Sequence, residues 1–130
     1  MIEHVIVDKI AANDAIREYC KGNIFTTSVP NGTYTPYIVV SASDNINEDV
    51  IAEFDVTIDI YDLNEDKRAL RKVSRSIKNI LHRSIFDDEY YGNIRVWFKD
   101  RQVIRESEST LSRINMSFNV RASELIVDEN

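Results

Sequence analysis

The chain has 130 residues, enough for one domain with one hydrophobic core. Apolar residues make up 43% and charged residues 29%, a globular balance, and the net charge of −6 argues against general attraction to nucleic acid or anionic membrane. The single cysteine, Cys20, excludes an internal disulfide and fits a reducing compartment. No apolar run approaches the roughly 20 residues of a membrane span. The opening "MIEHVIVDKI" does not read as a signal peptide, since it has an early acid and no small-residue cleavage site.

Ile2, Val5, Ile6 and Ile10 recur at helical spacing and predict a first helix from Ile2 to Ala12. Asn13 and Asp14 are N-cap types, and "DAIREYCKG" reads as a short second helix ending at Gly22. "NIFTTSVPNGTYTP", with Asn31-Gly32 and two prolines, reads as a loop. "YIVVSAS" follows as a strand. "AEFDVTIDIY" is the clearest strand pattern in the chain. Ala52, Phe54, Val56, Ile58 and Ile60 point one way, while Glu53, Asp55, Thr57, Asp59 and Tyr61 point the other. That alternation belongs to an antiparallel sheet covered on one side only, with the uncovered side polar and acidic.

A helix then starts near Asp62 or Asn64, either of which can cap it, with Glu65 and Asp66 in the first turn where the helix dipole favours acids. Leu70, Val73, Ile77, Ile80 and Leu81 form its apolar stripe, and it runs to about Ser84. "FDDEYYGN" reads as a connection, "IRVWF" as a short strand, "RQVIRE" as a possible further one, and "TLSRINMSFNVRA" as a last long strand. The fold class expected is α+β, an antiparallel or mixed sheet of four to five strands with helices packed on one face, forming a single domain over 1–130.

Charge is segregated along the chain. Lys67, Arg68, Arg71, Lys72, Arg75, Lys78 and Arg83 stand against two acids between Glu65 and Arg83, a local charge of +5, and the rest of the chain carries −11. One reading is a solvated helix whose aliphatic stems cover apolar surface. A second is a docking face for an acidic neighbour, another copy of this chain included, because complementary patches give head-to-tail contacts that close into rings. A third is nucleic-acid contact, although binders of single strands interleave aromatics with their cations and this helix has none. Glu53, Asp55 and Asp59 either belong to such an interface or pair across the sheet with Arg113 and Arg121.

No credible active site is legible. Three glycines, Gly22, Gly32 and Gly92, do not make a phosphate-cradling loop. One cysteine with His4 and His82 far apart does not make a zinc site. Glu65 and Lys67 match the acid-x-lysine element of some metal nucleases, but they fall in a predicted helix turn rather than on a strand. Asp87, Asp88 and Glu89 could hold a cation through oxygen ligands, or form a solvated acidic loop. No cofactor, metal or catalytic residue is expected.

The order of features has a counterpart. Gly22, then Ile24-Phe25, Pro30, the strand opened by Pro36-Tyr37, and the strand ending Ile58-Asp59-Ile60-Tyr61 that runs into a helix together resemble the tail completion, or tail terminator, proteins of long-tailed bacteriophages and prophages. The likeness covers Asp14 to Leu81 and more loosely the final strand, and 86–108 departs from it. Neck proteins that join head to tail are similar in size and architecture. The resemblance implies a non-enzymatic virion assembly protein, located in the tail or neck and in the host cytoplasm during assembly. Its partners would be itself as a ring, commonly of six, then the tail tube protein and the head connector. The candidate interface residues are Glu53, Asp55, Asp59, Lys67, Arg68, Arg71, Lys72, Arg75 and Lys78. The competing class is a small nucleic-acid-binding module using the basic helix 65–83.

Overall fold

The computed structural model describes residues 2–44, 51–63, 67–105 and 111–124. Helix α1 (Ile2–Ala11) and helix α2 (Asp14–Cys20) come first, followed by strands β1 (Ile24–Thr26), β2 (Tyr37–Asp44) and β3 (Ile51–Leu63). Helix α3 (Lys67–Leu81) leads to β4 (Ile85–Phe86), β5 (Tyr91–Arg105) and β6 (Leu111–Glu124). The strands form one six-stranded sheet in the order β1-β2-β3-β6-β5-β4. All neighbours are antiparallel except β1 and β2.

The alternation in "AEFDVTIDIY" fixes the centre of the sheet. Ala52, Phe54, Val56, Ile58 and Ile60 are buried, and their partners on β6 are Ala122, Val120, Phe118, Met116 and Ile114. One period-2 stripe faces another over a ladder of thirteen residue pairs. Ile38 and Val40 extend this inner face on β2, and Ile94 and Val96 extend it on β5. The helices cover it with Ile2, Val5, Ile6 and Ile10 from α1, Ile16 and Cys20 from α2, and Leu70, Val73, Ile77 and Leu81 from α3, all in one apolar cluster. Each fully buried side chain of this size stabilises the fold by about 1.5–3 kcal/mol relative to exposure.

The structure departs from the sequence reading in several places. The sheet has six strands rather than four or five, because two very short edge strands lie where loops were expected. Ile24–Thr26 pairs parallel to Ile38–Val40, and Ile85–Phe86 pairs with Arg95 and Ile94. "IRVWF" and "RQVIRE" are one strand, β5. Its register shifts between Phe98 and Asp100, so Val96 and Phe98 lie opposite Val120 and Phe118, but beyond the shift Arg101 and Val103 lie opposite Met116 and Ile114. An extra residue inverts the period-2 phase, which is why alternation reads as two pieces.

Asp62 does not cap α3. It sits in β3, buried at 6% exposure, where it accepts a hydrogen bond from the Tyr19 hydroxyl of α2. The alternative cap, Asn64, and the acids Glu65 and Asp66 lie outside the described residues. Helix α3 stops at Leu81 rather than Ser84, since Arg83 turns into the left-handed region at φ 63°. Asn13 caps α2 as read, its Oδ1 accepting from the Ile16 amide at 3.0 Å.

Candidate assembly surfaces

The sheet face away from the helices carries the residues at odd positions of β3 and β6. Tyr37 and Tyr61 stack there with ring centroids 4.9 Å apart. The carboxylates of β3 stand beside cations and amides from β6 and β5. Arg121 Nε lies 3.7 Å from Glu53, its direct cross-strand partner. Asn119 donates to Glu53 at 3.0 Å and Asn115 to Asp59 at 2.8 Å. Arg113 Nε lies 3.7 Å from Asp59 and donates through Nη1 to the Tyr61 hydroxyl at 3.3 Å. Lys99 Nζ reaches Asp55 at 3.4 Å.

These contacts change what the face presents. Glu53, Asp55, Asp59 and, by its register opposite Ser117, Asp100 share it with Arg95, Lys99, Arg113 and Arg121, four acids against four bases among the described residues. The cross-strand pairing foreseen for Arg113 and Arg121 forms, and the face is not acidic as a whole. Each such half-exposed pair contributes only about 0.2–1 kcal/mol. The hydroxyl of Tyr37 is held protonated above its usual range, first by burial and then by the neighbouring Tyr61.

Helix α3 is different. Its apolar stripe, Leu70, Val73, Ile77 and Leu81, faces the sheet. Arg68, Arg71, Lys72 and Arg75 point outward and are exposed, and among the described residues none of the four lies in an ion pair. Lys78 rests over the Phe98 ring at 4.4 Å. Lys67 is the first residue of the helix. The basic stripe and the carboxylates of β3 therefore lie on opposite sides of the sheet, and the structure does not bring the nine candidate interface residues together.

Beside α3 is an open cleft of about 510 Å³, lined by Arg75, Lys78, Asn79, Phe98, Asp100 and Arg101. The register shift in β5 makes it, by turning Arg101 to the helix side, where Nη1 donates to Ser74 Oγ at 3.3 Å. Asp100 is the sole acid of the lining. Its two oxygens accept from the Arg101 amide and the Gln102 side chain. Sequence reading missed this cleft because Phe98 and Arg101 fall on either side of the shift.

The other candidates have structural partners. Cys20 is buried, donates to the Ile16 carbonyl at 3.2 Å, and has its thiol pushed up by burial. His82 Nδ1 accepts from the Phe98 amide at 3.0 Å and so ties the end of α3 to β5. In the acidic turn, Asp88 Oδ1 accepts from the Tyr90 and Tyr91 amides, and Asp87 Oδ1 accepts from the Asn93 amide. Two of the three acids are thus turned to their own backbone. Among the described residues no three His, Cys, Asp or Glu side chains gather as a metal site, and no helix is long and apolar enough to cross a membrane. Glu65 of the acid-x-lysine element lies outside the described residues.

A family model described as "Tail completion protein gp17" matches residues 4–123. The chain belongs to this family. The match spans both surfaces just described and extends through 86–108, where the sequence resemblance had lapsed. No curated protein matches the chain. Among solved structures, a chain from the virion of a native gene transfer agent particle is similar with a TM-score of 0.72 and 13% identity, over 91% of each chain. A second solved chain, of no stated role, is similar with a TM-score of 0.64 and 9% identity, over 98% of this chain and 93% of its own. At these identities the two structures share the fold alone. Membership of the tail completion family gives the chain a structural role in phage tails.

Proposed function

We infer that this tail completion protein acts as a tail terminator. Copies assemble as a ring, commonly of six, on the last ring of the tail tube, stop its growth, and present the surface that meets the head connector. On this reading the chain works as a single domain without catalysis, first in the host cytoplasm during assembly and then in the virion between tail and head. Its partners are other copies of itself, the tube protein and the connector.

The observation that carries the reading is the unequal treatment of charge. The β3 carboxylates are matched within the subunit, whereas Arg68, Arg71, Lys72 and Arg75 of α3 are exposed and, among the described residues, lie in no ion pair. Exposed like charges four residues apart cost a helix a few tenths of a kcal/mol. They are relieved when an acidic surface docks on them. We place the subunit or partner contact on Arg68, Arg71, Lys72, Arg75 and Lys78. Glu53, Asp55 and Asp59, with their matched cations, form a second, weaker candidate surface.

Complementation tests the role. Particles made without this protein should have tails of uncontrolled length that fail to join heads, and supplying the protein should restore joined particles. Normal tails joined to heads in its absence would refute the reading. The nucleic-acid alternative predicts instead salt-sensitive binding of oligonucleotides, lost on reversing Arg71 and Arg75.

A further inference from the structure

We propose that the cleft between α3 and β5 receives the Asp87–Tyr90 turn of a second copy of the chain, a head-to-tail contact that rests on the ring reading above. The cleft supplies three cations, Arg75, Lys78 and Arg101, over an aromatic floor, Phe98, and its own Asp100 is already engaged by neighbouring donors. The turn supplies the complementary chemistry. Asp87 and Glu89 are exposed carboxylates, and Tyr90 beside them is an aromatic ring at 55% exposure.

The turn is preorganised. Asp88 holds the Tyr90 and Tyr91 amides, and the Asp88 amide donates to the Tyr91 carbonyl at 2.9 Å. Glu89 and Tyr90 are therefore displayed with little ordering left to do on binding. Carboxylates entering a cleft of arginines gain charge-assisted bonds that are stronger than neutral ones.

Geometry selects a second copy as the occupant. The turn precedes β5 at Tyr91, and the cleft lies at Phe98–Arg101 on the same strand. Seven to ten residues at about 3.3 Å each separate them by roughly 23–33 Å, so a subunit cannot fill its own cleft. Each copy offers a tip at one end of β5 and a receptor further along it. This is a heterologous contact, which closes into a ring when its rotation allows.

Cysteine trapping on the full chain tests the contact. Tyr90→Cys and Asn79→Cys are made as separate proteins, mixed and mildly oxidised. Native Cys20 is buried and stays silent. The control pair is Tyr90→Cys with Tyr34→Cys, whose site is 85% exposed. The 79–90 heterodimer should form about ten-fold faster than the control heterodimer. Adding Arg75→Glu to the Asn79→Cys chain, or raising salt to about 1 M, should bring it down to the control rate. Equal rates for the two pairs overturn the contact. If rings are nonetheless seen on tails, the contact alone is wrong. If trapping is enriched but particles made without the protein are normal, the contact stands and the terminator reading fails.

Discussion

Cys20 and Asp62 show how much single positions bear in this fold. Burial pushes the Cys20 thiol above its ordinary 9.0. As pH rises through about 9, the unfolded chain therefore loses this proton while the folded chain keeps it. The folded state then binds more protons, so stability is full below that range and falls above it. Urea midpoints measured between about pH 8 and 10.5 should decline, and Cys20→Ala should flatten the first part of the decline. Tyr37, shifted the same way, should leave a residual slope nearer 10. An unchanged limb in Cys20→Ala would contradict this account. Asp62 is a buried carboxylate that takes the Tyr19 hydroxyl across from α2. Tyr19→Phe removes that donor, and we expect a loss of about 1–3 kcal/mol in urea unfolding. No pattern in the sequence marks this bond, since forty-three positions separate its partners.

At the scale of elements, α3 divides into two faces with separate consequences. Ile77 is fully buried on the inner stripe, so Ile77→Ala should cost about 2–5 kcal/mol. Reversing Arg68, Arg71, Lys72 and Arg75 to glutamate should move stability little, within about 0.5 kcal/mol for each site, because none packs into the core. Thermal melts of the two variants check the contrast. A reversal variant that fails to fold would mean the stripe is structural rather than a docking face. The stripe, the inner strand faces and the α2 cap were legible in the sequence because each is set by local periodicity or by one capping side chain. The continuity of β5 was not, because the register shift at Phe98 and Asp100 breaks the period that reading depends on. Strands β1 and β4 are three and two residues long, too short to show any period, and exist through pairing with distant partners.

For the whole molecule, the sheet centre is what the alternating stripe of β3 predicts, and the helices cover one side as expected. The pairing of the open face's acids with Arg113 and Arg121 was foreseen, but the part played by β5 was not, because strand order is not written in a single strand. β3 alone looks acidic, but its neighbour β6 brings Arg113 and Arg121, and β5 adds Lys99. Among the described residues, Arg68, Arg71, Lys72 and Arg75 of α3 lie in no ion pair, and the cleft beside them carries three cations to one acid. The most direct test is cryo-electron microscopy of the head-proximal end of tails assembled with this protein. We predict a closed ring of its copies there, with the α3 stripe covered by a neighbouring copy. Tail ends without this chain, or a ring in which every α3 stripe faces solvent, would contradict the account.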